Sequence, residues 1–579
     1  MASMLTRTRL SLVAAAFISL AGCQANRHTG APAAAVNPAD AIYFGGDIVT
    51  VNDAQPTAEA IAVDDGKIVF VGAKADAMKL SGAGTSVVDL KGKTIVPGFI
   101  EGHSHFINSI TMGSQANVYA APFGPGSTKQ GIVDALKKLR DERNIPKGEV
   151  IMAYGYDDSL FPDGGKLTAA DLDVDFPDNP VIVGHVSLHG AVLNTAAFKK
   201  YGITADTPVP PGGIMVRKPG TNEPEGLLME SAYLPVFGQL PKPTPQQLSQ
   251  AFKEGQMIYA RAGVTTAQEG SSQRADIDLL LGAAERGDLF IDVVAFPFIP
   301  EIDYALSKLP RDQWLRYNNR LKFGGIKVTC DGSPQGRTAF FTTPYLQGGP
   351  SGEKDWKGEP TFPVPTLRKM IKRVYDEKLP LIVHGNGDAA IDVILDAHEL
   401  ALGDKASGDH RTGIIHCQFV RKDQLERIKK LNIIPSFYTE HTYFFGTTHI
   451  ANRGLEQASF ISPLKTASGM GIKFANHTDF NVAPIDQLFV LWTAVNRPMR
   501  EGGVLGEAER VDPLTGLKAL TIWPAYWYRE EDKKGSLEVG KLADLVILSA
   551  NPLKVEPMTI KDIRVLETVK EGKTIYRAE

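Results

Sequence analysis

The stretch "TIVPGFIEGHSHF", Thr94 to Phe106, sets the reading of the fold. It opens as a short apolar run and ends on two histidines one residue apart, His103 and His105. Along a strand, residues i and i+2 face the same way. An extended chain therefore presents both imidazoles to one side, close enough to grip one metal ion. A His-X-His pair also arises on surfaces by chance, so the reading rests on what lies downstream.

Seven more strand-like runs follow: "GVTTAQEG", "IDVVAFPFI", "KFGGIKVTCDG", "LPLIVHGNG", "GIIHCQ", "NIIPSFYT" and "GIKFANHTD". Amphipathic stretches such as "QQLSQAFKEGQMIYARAG" and "DAAIDVILDAHELAL" separate them. Strands alternating with helices signal a parallel β/α architecture, and eight such units predict an α/β fold of the TIM (β/α)8 barrel type. Residues 120–240 fit poorly between the first two strands. Their short strands and turn residues predict a mostly β insertion over the barrel mouth. Short strands over 41–95 return in the closing segment 506–579, after its helices. They predict a small β-sandwich built from both chain ends, with the barrel over 96–505 inserted between its halves.

Polar residues fall at the C-terminal ends of the expected strands. They are His103 and His105 on the first, Lys327 on the fourth, His384 on the fifth, His416 on the sixth and Asp479 on the eighth. TIM-barrel chemistry sits on that face. One such histidine is usually a satisfied core residue, but four with an inward lysine and an aspartate are hard to explain as packing. Imidazole and carboxylate are typical zinc ligands, and a catalytic zinc keeps a position open for water.

Composition narrows the function. The 579 residues are 43% hydrophobic and 22% charged with a formal net charge of −4, which gives no footing for nucleic acid. Three cysteines are too few for a disulfide framework or a cysteine-based zinc site, and Cys330 and Cys417 read as packing residues. The leader "MLTRTRLSLVAAAFISLAGC" has a basic start, an apolar run and small residues before Cys23. It predicts a signal peptide over 1–22. "LAGC" resembles a bacterial lipobox, which predicts a lipid on Cys23 as the membrane anchor. Residues 23–40 then form a flexible tether. The expected location is the cell envelope, as an outer-membrane lipoprotein (Gln24 follows, not Asp) or periplasmic once the signal is removed.

With "PGFIEGHSH", "HGNGDAAID", "GIIHCQ" and "ANHTDF" in this order, the chain resembles the metal-dependent amidohydrolase superfamily. "GYDDSLFPDGGKLTAADLD", "SLHGAVLNTAAF", "PPGGIMVRKPGTNEPEGLLMESA" and "GIKVTCDGSPQGRTAFF" narrow the likeness to amidohydrolase family 3, the YtcJ-like group that includes N-substituted formamide deformylases. The resemblance covers almost everything from residue 41 onward. It implies one or two Zn2+ ions, with another divalent metal open. His103 and His105 match the pair that holds the more buried metal. Lys327 matches a lysine that many members carboxylate to bridge two metals. His384 and His416 match ligands of the second metal, and Asp479 matches a metal ligand and proton shuttle. "ANHTD" departs from the usual Gly-Ser-Asp and puts His477 on the same strand face as Asp479. His441 follows strand seven, where members vary with substrate. His189 matches a histidine common in the branch. These three, with Arg337, are candidate substrate contacts, set against solvated, structural or salt-bridge roles. His398, His410 and His449 are expected in solvent.

The expected activity is hydrolysis of an amide or other non-peptide C–N bond in a small-molecule substrate. Metal-bound hydroxide attacks, and Asp479 serves as general base and then acid. Ester or lactone hydrolysis, deamination and decarboxylation on the same barrel stay open, as does a surface binding lipoprotein without catalysis. A homodimer also stays open.

Overall fold

A computed structural model of the chain describes residues 38–157, 161, 165–186, 190–210, 213–240, 244–350 and 353–579. The leader, Cys23, nearly all of the tether and His189 lie outside the described residues.

The eight strand runs all carry strands, arranged as two parallel sheets. One has the order Leu321–Phe323, Asp292–Pro297, Val264–Ser272, Phe99–Ile100. The other runs Ile326–Thr329, Leu381–Gly385, Gly413–His416, Ile434–Phe437, Ala475–Asn476. Strands covered on both faces read as continuous apolar runs, and Asp292–Pro297 and Gly413–His416 are buried throughout. The sheets meet at two isolated parallel bridges, Ser104 with Phe480 and Phe298 with Lys327. The fold is therefore TIM-barrel-like α/β, without an unbroken ladder around the ring. One interruption has a local cause. "KFGGIKV" divides at Gly324–Gly325, and Gly325 takes φ +149° where an added Cβ would lie 2.3 Å from the Pro380 carbonyl oxygen.

Helices cover the strands through one apolar stripe each. In Val364–Asp376 the buried residues are Leu367, Ile371 and Val374, spaced i, i+4, i+7. His398, on Asp388–Leu402, belongs to such a stripe and is buried, a correction to the solvated reading. Its Nδ1 lies 2.6 Å from the Tyr375 hydroxyl, and its Nε2 donates to the Ala406 carbonyl at 2.8 Å.

Both ends of the chain share one eight-stranded sheet. Its order is Lys573–Arg577, Val565–Lys570, Leu545–Leu548, Thr94–Pro97, Ala41–Val49, Thr57–Asp64, Lys67–Gly72, with Ser86–Asp89 also paired to Ala41–Val49. The run that opened the sequence reading thus serves two sheets. Thr94–Pro97 pairs with Leu545–Leu548, and Phe99–Ile100 joins the parallel sheet below the two histidines. Between residues 113 and 240 lies a six-stranded sheet ordered Ile214–Arg217, Pro224–Met229, Gly190–Leu193, Val181–His185, Ile151–Tyr156, Ala116–Asn117. It reaches the mouth of the parallel strands. The Tyr119 hydroxyl donates to the Asn481 carbonyl at 3.1 Å, and Phe123 packs edge-on against Phe489 at 4.8 Å. Among the described residues, no helix is long and apolar enough to cross a membrane.

Candidate metal centre

The ends of the parallel strands gather one polar cavity of 280 Å³. His103, His105, Lys327, His384, His416 and Asp479 all line it, together with His441. Among the described residues, the side chains of His103, His105 and Asp479 meet as a cluster whose ligand atoms lie within 4.8 Å of one another. Asp479 Oδ1 is 3.5 Å from Nε2 of each histidine. Backbone contacts fix this geometry. Asp479 N–H donates to the His103 carbonyl at 3.0 Å, and His105 N–H donates to the Phe480 carbonyl at 2.6 Å. Asp479 holds φ +52°, which turns its carboxylate out of strand alternation.

Three of the imidazoles are held from behind through Nδ1. His103 Nδ1 donates to Gln268 Oε1 at 2.6 Å. The Gln268 amide in turn donates to the Gly102 carbonyl and to the Tyr528 hydroxyl. His384 Nδ1 donates to Asp331 Oδ1 at 3.0 Å. Asp331 also accepts from the backbone N–H groups of Phe340, Asn386 and Gly387, so its acceptor sites are filled. His416 Nδ1 lies 3.1 Å from His477 Nε2, and His477 Nδ1 lies 2.8 Å from Ser436 Oγ. With Nδ1 donating, His103 and His384 keep the Nε2 lone pair that a metal ligand needs; the Asn386 amide stands 3.2 Å from that of His384.

Electrostatics favours neutral His103 and His416. Burial, then Lys327 and the neighbouring imidazoles, holds His103 well below the usual histidine range. Burial and the surrounding imidazoles do the same to His416. Burial would lower His105 too, but the Asp479 and Glu269 carboxylates outweigh it and raise its pKa. Burial brings the Lys327 ammonium down to about 8, against the pull of Asp479 and Glu269. Lys327 Nζ stands 3.4 Å from His103 Nε2. Two imidazole lone pairs and a carboxylate form a donor set that fits a divalent metal ion. His384 and His416 share the cavity, with ring centroids 4.7 Å apart, but they stand outside that tight cluster.

The remaining sequence candidates separate. His441 lines the cavity. His477 does not; it is fully buried behind His416 with both ring nitrogens engaged. Arg337 lies off the cavity and donates to the carbonyls of Gln347 and Gly348. His449, expected in solvent, is buried and lies 3.0 Å from His441. Sequence reasoning missed Gln268, Glu269 and Glu101, and it set Asp331 beside Lys327 rather than behind His384. Glu101 is fully buried and accepts from His103 N–H, Thr478 and Gln487; burial raises its pKa to about 7. The available signal was a run of polar side chains inside apolar strands, as in "VTTAQEGSS".

A larger cavity of 780 Å³ surrounds Asp292, Arg320 and Glu530. Its buried charges pair with one another, and it holds no metal-ligating group among the described residues. Among the described residues the cluster of metal-ligating side chains lines the smaller cavity.

The chain belongs to the amidohydrolase family, whose pattern matches residues 86–576. It is thereby a metal-dependent hydrolase acting on carbon–nitrogen bonds. It is similar to the putative amidohydrolase YtcJ of Bacillus subtilis, with 26% identity over 93% of this chain and 99% of that one. It is also similar to the N-substituted formamide deformylase of Arthrobacter pascens, with 24% identity over 93% and 98%. Among solved structures, it resembles an uncharacterized metal-dependent hydrolase from Pyrococcus furiosus, with a TM-score of 0.67, 25% identity, and coverage of 89% of this chain and 100% of that one.

Proposed function

We propose that the protein hydrolyses a small amide or formamide, a C–N bond outside peptides, at a zinc centre held by His103, His105 and Asp479. The observation that carries this reading is the Asp479 carboxylate 3.5 Å from both imidazole Nε2 atoms, at the wall of a polar cavity. The ion, when bound, supplies Lewis acidity that makes water a nucleophile near neutral pH. Asp479 takes the proton from the attacking water and returns it to the leaving nitrogen. Gln268 and Asp331 keep His103 and His384 in one tautomer through the cycle. The 280 Å³ volume suits a compact substrate, and the formamide class draws on the named Arthrobacter relative.

Lys327 serves in this reading as a carboxylated ligand. Asp331, the carboxylate nearest to Lys327 in the sequence, is filled by His384 and three backbone donors and is not its ion-pair partner. A buried amine with a lowered pKa is readily neutral, and the neutral amine adds carbon dioxide, releasing one proton and leaving an anion. His384, His416 and that anion would be the residues to hold a second ion. Processing at Cys23 places the enzyme in the cell envelope on a lipid anchor.

The test is a screen of metal-replete protein over N-alkyl formamides, N-acyl amines and N-acyl amino acids, each paired with its ester analogue. Amide turnover that a chelator abolishes and zinc restores is expected. Asp479→Asn should reduce kcat by about 10²–10⁴-fold. Full turnover by metal-free protein, or an active Asp479→Asn variant, would remove this mechanism.

A further inference from the structure

Helix Glu440–Arg453 brings together two histidines that its own regular geometry would keep apart. His441 and His449 are eight residues apart, which on a straight helix is about 12 Å of rise. The helix breaks at Phe445, which takes φ −133° and ψ 15°. Across the break His441 Nδ1 lies 3.0 Å from His449 Nε2, with the rings nearly parallel at 13°. Both side chains are buried. His441 lines the metal-centre cavity. His449 sits behind it, among the rings of Phe419 and Phe445, which offer no conventional hydrogen-bond acceptor.

Burial keeps both imidazoles neutral, with His441 well below the usual range and His449 down to about 3. Each ring therefore carries one N–H, and the shared bond holds one proton with two directions open to it. If His441 donated from Nδ1, His449 would carry its own proton on Nδ1. That atom is buried without a hydrogen-bond partner. If His449 donates from Nε2, its Nδ1 is only a bare lone pair. A buried N–H without an acceptor is the rarer and costlier orphan. The second direction wins. It puts the His441 proton on Nε2, the ring nitrogen left available to the cavity.

We propose that His449 is a positioning residue that fixes His441 as the Nε2–H tautomer, so that His441 presents an N–H donor to the carbonyl oxygen of the bound substrate. This role rests on the hydrolase reading above. A donor fixed before the reaction stabilises the charge that develops on that oxygen as water attacks. The break at Phe445 is the structural device that makes the pair.

The experiment uses the full zinc-loaded chain labelled with 15N-histidine, with the His441 signals identified by their loss in His441→Gln. Long-range 15N–1H correlation should show Nε2 protonated and Nδ1 bare. His449→Leu should release this bias and mix the tautomers. His449→Gln, whose amide N–H replaces the lost donor, should retain it. On N-alkyl formamides, His449→Leu should lower kcat by about 10–100-fold with little change in KM, less than the roughly 10²–10³-fold for outright loss of an oxyanion donor, because His441 itself remains. His449→Gln should stay near wild type. A wild-type His441 protonated at Nδ1 overturns the proposal whatever the activity, and so does a His449→Leu variant with unchanged kcat. An Nε2–H tautomer in a protein with no amide turnover supports the tautomer assignment and counts against the function reading alone.

Discussion

Replacing Asp292 by asparagine should loosen the joint between the terminal sheet and the parallel strands. Asp292 opens strand Asp292–Pro297 and is buried. Its carboxylate accepts from Lys534 and, at 2.7 Å, from Lys570, and it pairs with Arg320 at 3.1 Å. Lys570 ends strand Val565–Lys570 of the terminal sheet, and both lysines are at most 2% exposed. At an effective dielectric of about 20, charges about 3 Å apart attract by about 5–6 kcal/mol, which offsets their desolvation. Removing the anion leaves Lys534 with Glu530 and Lys570 with Asp544, but it leaves the buried cluster one cation in excess, a loss of about 3–5 kcal/mol. Unfolding entropy for a chain of this size is about 1 kcal/mol per kelvin, so Tm should fall by about 3–5 °C. Burial raises the Asp292 pKa, but the two lysines outweigh it and hold it well below its ordinary value of 3.8. A depressed carboxyl stabilises above its unfolded pKa and loses that contribution as pH falls through the folded one. The gap between wild type and variant, followed by calorimetry at a fixed scan rate, should hold from pH 7 to about 4 and close below that. Adding Lys534→Met to the variant removes the excess cation while Glu530 keeps Lys322, and it should recover part of the loss. A shift under about 1 °C at pH 7, a gap unchanged at pH 3, or no recovery in the double variant would refute the reasoning.

Three further outcomes are expected. Lys327→Ala should lose one metal equivalent by elemental analysis and regain some turnover when a short carboxylic acid is added; full metal content with full turnover would take Lys327 out of the site. Asp331→Asn should weaken metal binding by about 10–100-fold in chelator competition, because it releases His384 Nδ1; unchanged affinity would reduce Asp331 to a loop fastener. Cys23→Ala should leave the protein unprocessed or free of the membrane fraction, and unchanged membrane association would point to another anchor.

The parallel strands were legible because burial on both faces leaves unbroken apolar runs, and the polar residues that end them stand out. Lys327, His384 and His416 reached the cavity from that pattern alone. The pattern failed where the backbone leaves the strand. Regular alternation would set Asp331 on the face of Lys327, but the strand ends at Thr329, and Asp331 turns to His384. His477 shares a strand face with Asp479 by counting, yet it lies behind His416. Asp479 and His416 both adopt positive φ, which no periodicity reports. His449 looked solvated because the break at Phe445 that buries it has no signature in residue spacing. Gln268 was overlooked because a side chain that steers a ligand needs only the right neighbour, and neighbours distant in sequence are invisible to a window.

The double service of "TIVPGFIEGHSHF" sets a timetable for the molecule's birth. Thr94–Pro97 completes its pairing only with Leu545–Leu548, almost a whole chain later. Contacts that close so large a loop form late and slowly. While the ribosome is still adding the barrel, the root of His103 and His105 has no partner on one side. The metal grip can therefore mature only as the last strands arrive, and a chain cut short just before Leu545 would leave the ribosome with all its barrel strands and an unanchored centre.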